Sequence, residues 1–259
     1  KHPDWYVYGS ETSSTVQSRG IYHFPYRQSV LADEDEQCSS LGNSSTSWGA
    51  KNSETCIITE RDCEFSLGQY LWSGFDYIGE PTPYHTRNSY FGQIDTAGFP
   101  KDSYYLYQAA WIDRREKPVV HVFPYWDFNP GQLIDVRIAS NADVVELLVN
   151  GVSKGRQRIN HTGESKLTGD YRIAYEKGEI TAVAYDENLK EIARETRSSF
   201  GEPVRLILTQ YEPERTLFAG TGDMAFFTVV AVDEADHPVE NANNRIEVSV
   251  EGAGWLTGL

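Results

Sequence analysis

The sequence predicts a multidomain fold: an α/β segment followed by all-β sandwich domains. Three observations predict it. In residues 1–116, short apolar strands and Gly-rich turns alternate with two helical stretches. Past Lys117 the apolar period falls to two. The length of 259 residues suits two or three domains of ordinary size.

In chain order, Val7-Tyr8 form a short strand that stops at the polar turn Gly9-Ser10-Glu11. Residues 31–64 are acidic, and Cys38 to Gly49, rich in Ser, Asn and Gly, reads as a long surface loop. A helix begins near Ser53. Gln69 to Tyr77 is an aromatic strand running into a loop, and Asp102 is placed to N-cap a last helix, Ser103 to Trp111. Two such strand–loop–helix units suit part of a parallel α/β fold.

Residues 117–200 read as an antiparallel sandwich. Ile134, Val136 and Ile138 alternate with polar or small neighbours. Val145, Leu147 and Val149 lead into Asn150-Gly151, a type I′ hairpin signal. Ile180, Ala182 and Ala184 continue the pattern to a turn at Asp186-Glu187-Asn188. Residues 201–259 open a second sandwich with strands at Val204–Leu208, Phe226–Val232 and Ile246–Val250, too few to complete it. A start at Lys1, a single Met (Met224) and an end inside a segment that still reads as folded predict a piece of a longer protein.

Composition narrows function. Hydrophobic content of 39% and aromatic content of 13% exclude a disordered chain. With 23 basic against 38 acidic residues, net −15, the chain has no basic face for nucleic acid, and a polyanionic substrate is disfavoured. Neutral sugars and peptides stay open. No apolar run approaches the roughly 18–20 residues that span a bilayer as a helix. The three cysteines, Cys38, Cys56 and Cys63, read as small apolar fillers packing with Ile57 and Leu67. If 53–67 were helical, Cys56 and Cys63 would lie about 10 Å apart, beyond disulfide reach.

Glu11 is the leading candidate for chemistry. A carboxylate at a strand end can attack a glycosidic carbon, with a second carboxyl about 5–5.5 Å away as acid/base; an ordinary loop glutamate satisfies the same position. Trp48, Trp72, Tyr77, Tyr84, Tyr90 and Phe91 give an aromatic density that suits the C–H faces of sugars, or equally a core. Asp76 and Glu80 flank Tyr77 in a Gly/Pro-rich loop as hydroxyl acceptors, or Glu80 simply stabilises the turn before Pro81. His23, His85 and His121 fall on or near loops in solvated or structural roles. With no phosphate loop, zinc signature or Gly-x-Ser-x-Gly elbow, neither cofactor nor metal is expected.

Three strings together resemble glycoside hydrolase family 2 of the β-galactosidase type. Tyr8-Gly9-Ser10-Glu11-Thr12-Ser13-Ser14 through Arg19-Gly20-Ile21-Tyr22-His23-Phe24-Pro25 resembles that family's nucleophile segment. Leu71-Trp72-Ser73-Gly74-Phe75-Asp76-Tyr77-Ile78-Gly79-Glu80-Pro81-Thr82-Pro83-Tyr84 resembles the end of its eighth barrel strand. Ser89-Tyr90-Phe91-Gly92 with Asp95, and Ala97 through Gln108, resemble the family's continuation into its last helix. The match covers residues 1–115; Val145 to Gly155 more loosely resembles immunoglobulin-like modules that come after the barrel in bacterial members.

The resemblance implies the C-terminal part of a (β/α)8 TIM barrel (1–116), an immunoglobulin-like sandwich (117–200) and the start of another (201–259). It implies a retaining exo-β-glycosidase acting on terminal β-galactosides, with Glu11 as nucleophile, Trp72 as the wall of the sugar subsite, and Glu80 and Asp76 at or beside it. The family's acid/base glutamate lies far upstream of its nucleophile, and only ten residues precede Glu11. The chain by itself is therefore expected to be inactive and to need the upstream remainder of the enzyme as its partner. β-Glucuronidase ranks lower, because no Asn-x-Lys clamp is visible in 1–116. A non-catalytic carbohydrate-binding or interaction module is the rival reading. Export is the expectation from bacterial relatives; homo-oligomerisation stays open.

Overall fold

The computed structural model describes residues 4–26, 52–82, 84, 86–159, 166–220 and 222–259. The loop expected at 38–49, Cys38, Trp48 and His85 lie outside these. The chain divides into two compact units, Lys1–Ser199 and Phe200–Leu259, and is mostly β with two helices among the described residues.

The first unit opens with strand β1 (Val7–Thr12), helix α1 (Ser53–Arg61) and strand β2 (Ser66–Leu71), with β1 and β2 parallel. α1 starts where the Asn52 side chain accepts from the Thr55 N–H at 2.8 Å, satisfying one of the donors that a helix start leaves open. Glu54 in its first turn and Arg61 in its last suit the helix dipole. Because α1 ends at Arg61, Cys63 lies beyond it; Cys56 and Cys63 are free and half-buried. Leu67, expected to pack with them, is exposed instead.

Glu11 lies inside β1 rather than in a turn after it. Parallel pairing extends the strand to Thr12, whose register partner is Leu71. Helix α2 (Asp102–Trp111) begins one residue before expectation, with Lys101 at the cap position. The Asp102 carboxylate does not cap, because it accepts from the Tyr22 hydroxyl and faces His121.

Seven strands come next: β3 (Val120–Phe123), β4 (Leu133–Ser140), β5 (Val144–Val149), β6 (Val152–Arg158), β7 (Thr168–Ala174), β8 (Glu179–Tyr185) and β9 (Glu191–Ser198). They form two antiparallel sheets, ordered β3-β4-β7 and β6-β5-β8-β9. The period-two pattern has its expected consequence: Ile134, Val136 and Ile138 are fully buried against Val145, Leu147, Ile180 and Trp126 of one core. Asn150 and Gly151 take φ of 51° and 78°, the left-handed pair that a type I′ turn requires. His121 sits on β3 and is buried, not on a loop.

A second core holds the two halves of this unit together. Ile57 of α1 and Leu106 and Tyr107 of α2 pack with Phe123, Ala139 and Leu167 of the sandwich side. Glu54 of α1 also accepts from the Leu167 N–H at 2.8 Å.

The second unit pairs β10 (Arg205–Gln210) with β11 (Phe227–Val232), antiparallel. The strand expected at 246–250 is absent: those residues form no ladder with any described strand, and Ile246, Val248 and Val250 are exposed. Beyond β11, the Asp233 carboxylate gathers the N–H groups of Gly201, Ala235 and His237, which holds its carboxyl below the usual range against the effect of burial.

Candidate functional site

Parallel pairing brings the ends of β1 and β2 out on the same side, the side where open α/β folds present functional groups. Glu11 is exposed at that end of β1. Just past β2, the Trp72 N–H donates to the Thr12 carbonyl at 2.9 Å, which sets Trp72 at the end of the strand paired with that of Glu11. Trp72 is half-buried against the Val16–Phe91 cluster, on which Tyr90 also packs, and Tyr77 meets its ring edge-on at 5.9 Å. The Tyr77 hydroxyl donates to Glu80 Oε2 at 3.4 Å, which ties exposed Glu80 to the same aromatic pair. The Trp72–Ser73 peptide is cis.

Asp76 is placed differently from these three. Its side chain is buried, and Oδ1 accepts from Lys101 Nζ at 2.7 Å and from the Gly92 N–H at 2.8 Å. Burial raises its carboxyl above the ordinary range, an effect that the Lys101 ammonium and the Gly92 N–H oppose. Of the aromatics singled out in the sequence, Phe91 is buried, Tyr90 is half-buried and Tyr84 stands free in solvent.

Two polar clusters of this unit have no simple sequence signal. In one, Gln17, Gln93 and Ser103 hydrogen-bond one another in the interior. In the other, His121 Nε2 meets Asp102 Oδ1 at 2.8 Å and Nδ1 faces Glu195 Oε2 at 3.4 Å, while Tyr105 stacks on the imidazole with centroids 3.8 Å apart. Burial alone would lower the His121 pKa, but the two carboxylates outweigh it and hold the ring above its ordinary value. Glu195 is correspondingly held low by His121, against its own burial. The two carboxylates that face His121 lie 19 and 74 residues from it in sequence, so only the fold joins them.

An open cleft of about 310 Å³ lies between α1 and the β1–β2 pair, lined by Thr12, Cys56, Glu60, Cys63 and Gln69; neither Glu11 nor Trp72 lines it. Among the described residues no group of three or more His, Cys, Asp or Glu could hold a metal ion, and no helix is long and apolar enough to cross a membrane.

A family profile described as "Domain of unknown function (DUF4982)" matches residues 131–193, within the sandwich. A β-galactosidase of Bacteroides ovatus is 38% identical over 96% of this chain and 30% of its own length. The chain belongs to glycoside hydrolase family 2. A protein of Formosa agariphila named a putative β-glucuronidase is 32% identical over 74% of this chain and 19% of its own. Among solved structures, a β-glycosidase from Bacteroides vulgatus superposes with a TM-score of 0.72 at 25% identity, covering 89% of this chain and 32% of that one. The family 2 chain thus spans less than a third of the length of each of these relatives.

Proposed function

We propose that this chain is part of a retaining exo-β-glycosidase that releases terminal β-galactose, with Glu11 as the nucleophile. One observation carries the reading: parallel pairing sets Glu11 and Trp72 at the same ends of adjacent strands, with the Trp72 N–H on the Thr12 carbonyl. That is where a barrel presents its catalytic groups. In this reading β1, α1, β2 and α2 are the closing elements of a (β/α)8 barrel. The sheet orders β3-β4-β7 and β6-β5-β8-β9 suit an immunoglobulin-like sandwich, and residues 201–259 belong to another.

The chemistry comes from the residues. The Glu11 carboxylate attacks the anomeric carbon and forms a covalent glycosyl-enzyme ester as the leaving oxygen takes a proton. Trp72 offers an apolar face to the sugar ring. Glu80, with a carboxylate in solvent beside Tyr77, accepts hydroxyl hydrogen bonds. Asp76 serves the site from inside, because its ion pair with Lys101 occupies it. The proton donor, which also activates the water that breaks the ester, comes from a part of the longer protein outside these residues. General acid catalysis is typically worth 10²–10⁴-fold, so the chain alone turns over little or nothing.

The test is hydrolysis of a panel of aryl β-glycosides by the protein extended through the rest of the barrel, with Glu11→Gln as control. Galactoside turnover abolished by that substitution supports the reading. Preferred turnover of the β-glucuronide moves the specificity to the uronate, as the name of the Formosa relative suggests. No turnover by a well-folded protein favours a carbohydrate-binding module.

A further inference from the structure

We propose that Lys101 is a positioning residue whose buried ammonium fixes the loop carrying Trp72 and Glu80 against the segment that comes after Glu11. This rests on the proposed roles of Glu11 and Trp72.

Lysine is among the residues least often buried outright, yet the Lys101 side chain is 0% exposed. Its Nζ donates to three acceptors from three segments: Asp76 Oδ1 at 2.7 Å, the Gln17 carbonyl at 2.7 Å and the Tyr90 carbonyl at 3.3 Å. An ammonium carries three protons, so one group can hold three strands of chain at once.

The segments so joined meet at the candidate site. Gln17 lies six residues after Glu11, and Asp76 four residues after Trp72. The web around Lys101 is continuous. The Gln17 N–H donates to the Tyr90 carbonyl at 3.0 Å, and the Gln93 N–H to the Ser73 and Gly74 carbonyls at 3.2 and 3.1 Å. The Lys101 N–H itself donates to the Gln93 carbonyl at 2.9 Å. Gly92 passes so close to the loop that a Cβ there would lie 2.1 Å from the Asp76 nitrogen.

A buried ion pair is a poor source of net stability, because desolvating both charges costs about as much as their attraction returns. Apolar side chains could fill the same volume. They could not hold two backbone carbonyls and a carboxylate in fixed positions beside Trp72, and that is what an aromatic wall near a reacting carbon requires.

The experiment uses the full-length enzyme that contains this chain, with Lys101→Met and the paired Lys101→Met/Asp76→Asn variant. The pair removes both charges and keeps an acceptor for the Gly92 N–H. Measured are kcat and KM on the aryl glycoside that wild type turns over best, the melting temperature, and backbone hydrogen exchange across 72–93. Expected is a paired variant that melts within a few degrees of wild type, exchanges faster at Asp76 and Gln93, and keeps a kcat/KM about 10–100-fold low. Because the pair leaves no charge stranded, the test holds even if Lys101→Met alone does not fold.

Wild-type kcat/KM in the paired variant, or wild-type exchange over 72–93, overturns the proposal. If Glu11→Gln and Trp72→Ala both leave turnover unchanged, the functional reading falls. Hydrogen exchange then decides separately whether Lys101 holds the loop: faster exchange supports it and unchanged exchange overturns it.

Discussion

Replacing His121 with Gln should destabilise the first unit, most severely in mildly acidic solution. The imidazole lies between two carboxylates, and the His121 and Asp102 side chains are only 5% and 8% exposed. Both ring nitrogens face carboxylate oxygens, an arrangement that the doubly protonated ring satisfies and a neutral amide does not. Removing one partner of a buried pair typically costs 3–5 kcal/mol; Glu195 keeps part of its hydration, so about 3 kcal/mol is the appropriate figure. At about 2–4 °C per kcal/mol for a unit of this size, the melting temperature falls by about 6–12 °C.

The pH dependence has a definite sign. His121 is raised in the fold above the ordinary 6.5, so its stabilisation is complete below that value and is lost as pH rises through the folded pKa. Glu195 is lowered from the ordinary 4.5, so its contribution is complete above that value and is lost as pH falls through the folded pKa. The gap between wild type and His121→Gln is therefore widest between about pH 4.5 and 6.5 and narrows in alkali. Thermal unfolding by circular dichroism across this range measures it. A gap that stays constant into alkaline pH would refute the charged clasp.

Other expectations come from single contacts. Trp126→Ala empties a fully buried core position and strands the Glu176 carbonyl that its Nε1 serves, so the denaturation midpoint should drop by the equivalent of about 3–5 kcal/mol. Asn52→Ala removes the α1 cap and should cost about 1 kcal/mol in the same assay. Gly92→Ala forces a Cβ against the Asp76 nitrogen and the Phe75 carbonyl carbon. It should cost about 1–3 kcal/mol and speed hydrogen exchange in the Trp72–Glu80 loop.

Local periodicity was the most readable layer of the sequence. Alternation at Ile134, Val136 and Ile138 marks a strand buried on one face, and Asn150-Gly151 marks its kind of turn, because both depend on neighbours within a few residues. Element ends were less readable. β1 runs on through Glu11 because a partner strand about 60 residues away continues the ladder, which no local rule can register. Asp102 has the chemistry of an N-cap but is claimed by Tyr22 and His121. Ile246 to Val250 alternates like a strand, yet a strand needs a ladder partner, and the described residues provide none. Among the candidate residues, Glu11 and Trp72 were singled out by the strings around them; the inward turn of Asp76 had no such signal, because its cause is a lysine 25 residues on. The one available signal was a lysine set in Gly98-Phe99-Pro100-Lys101, an apolar setting that a solvated lysine does not need.

The most direct test of the central claim is to trap the covalent intermediate. The full-length enzyme is incubated with a 2-deoxy-2-fluoro-β-galactoside bearing an activated leaving group: the fluorine slows both formation and hydrolysis of the glycosyl-enzyme ester, the leaving group restores the speed of formation alone, and the ester accumulates. Peptide mass spectrometry then locates the adduct. A stoichiometric adduct on Glu11, absent from Glu11→Gln, is the expected result. An adduct on another carboxylate, or galactoside turnover that survives Glu11→Gln, would contradict it.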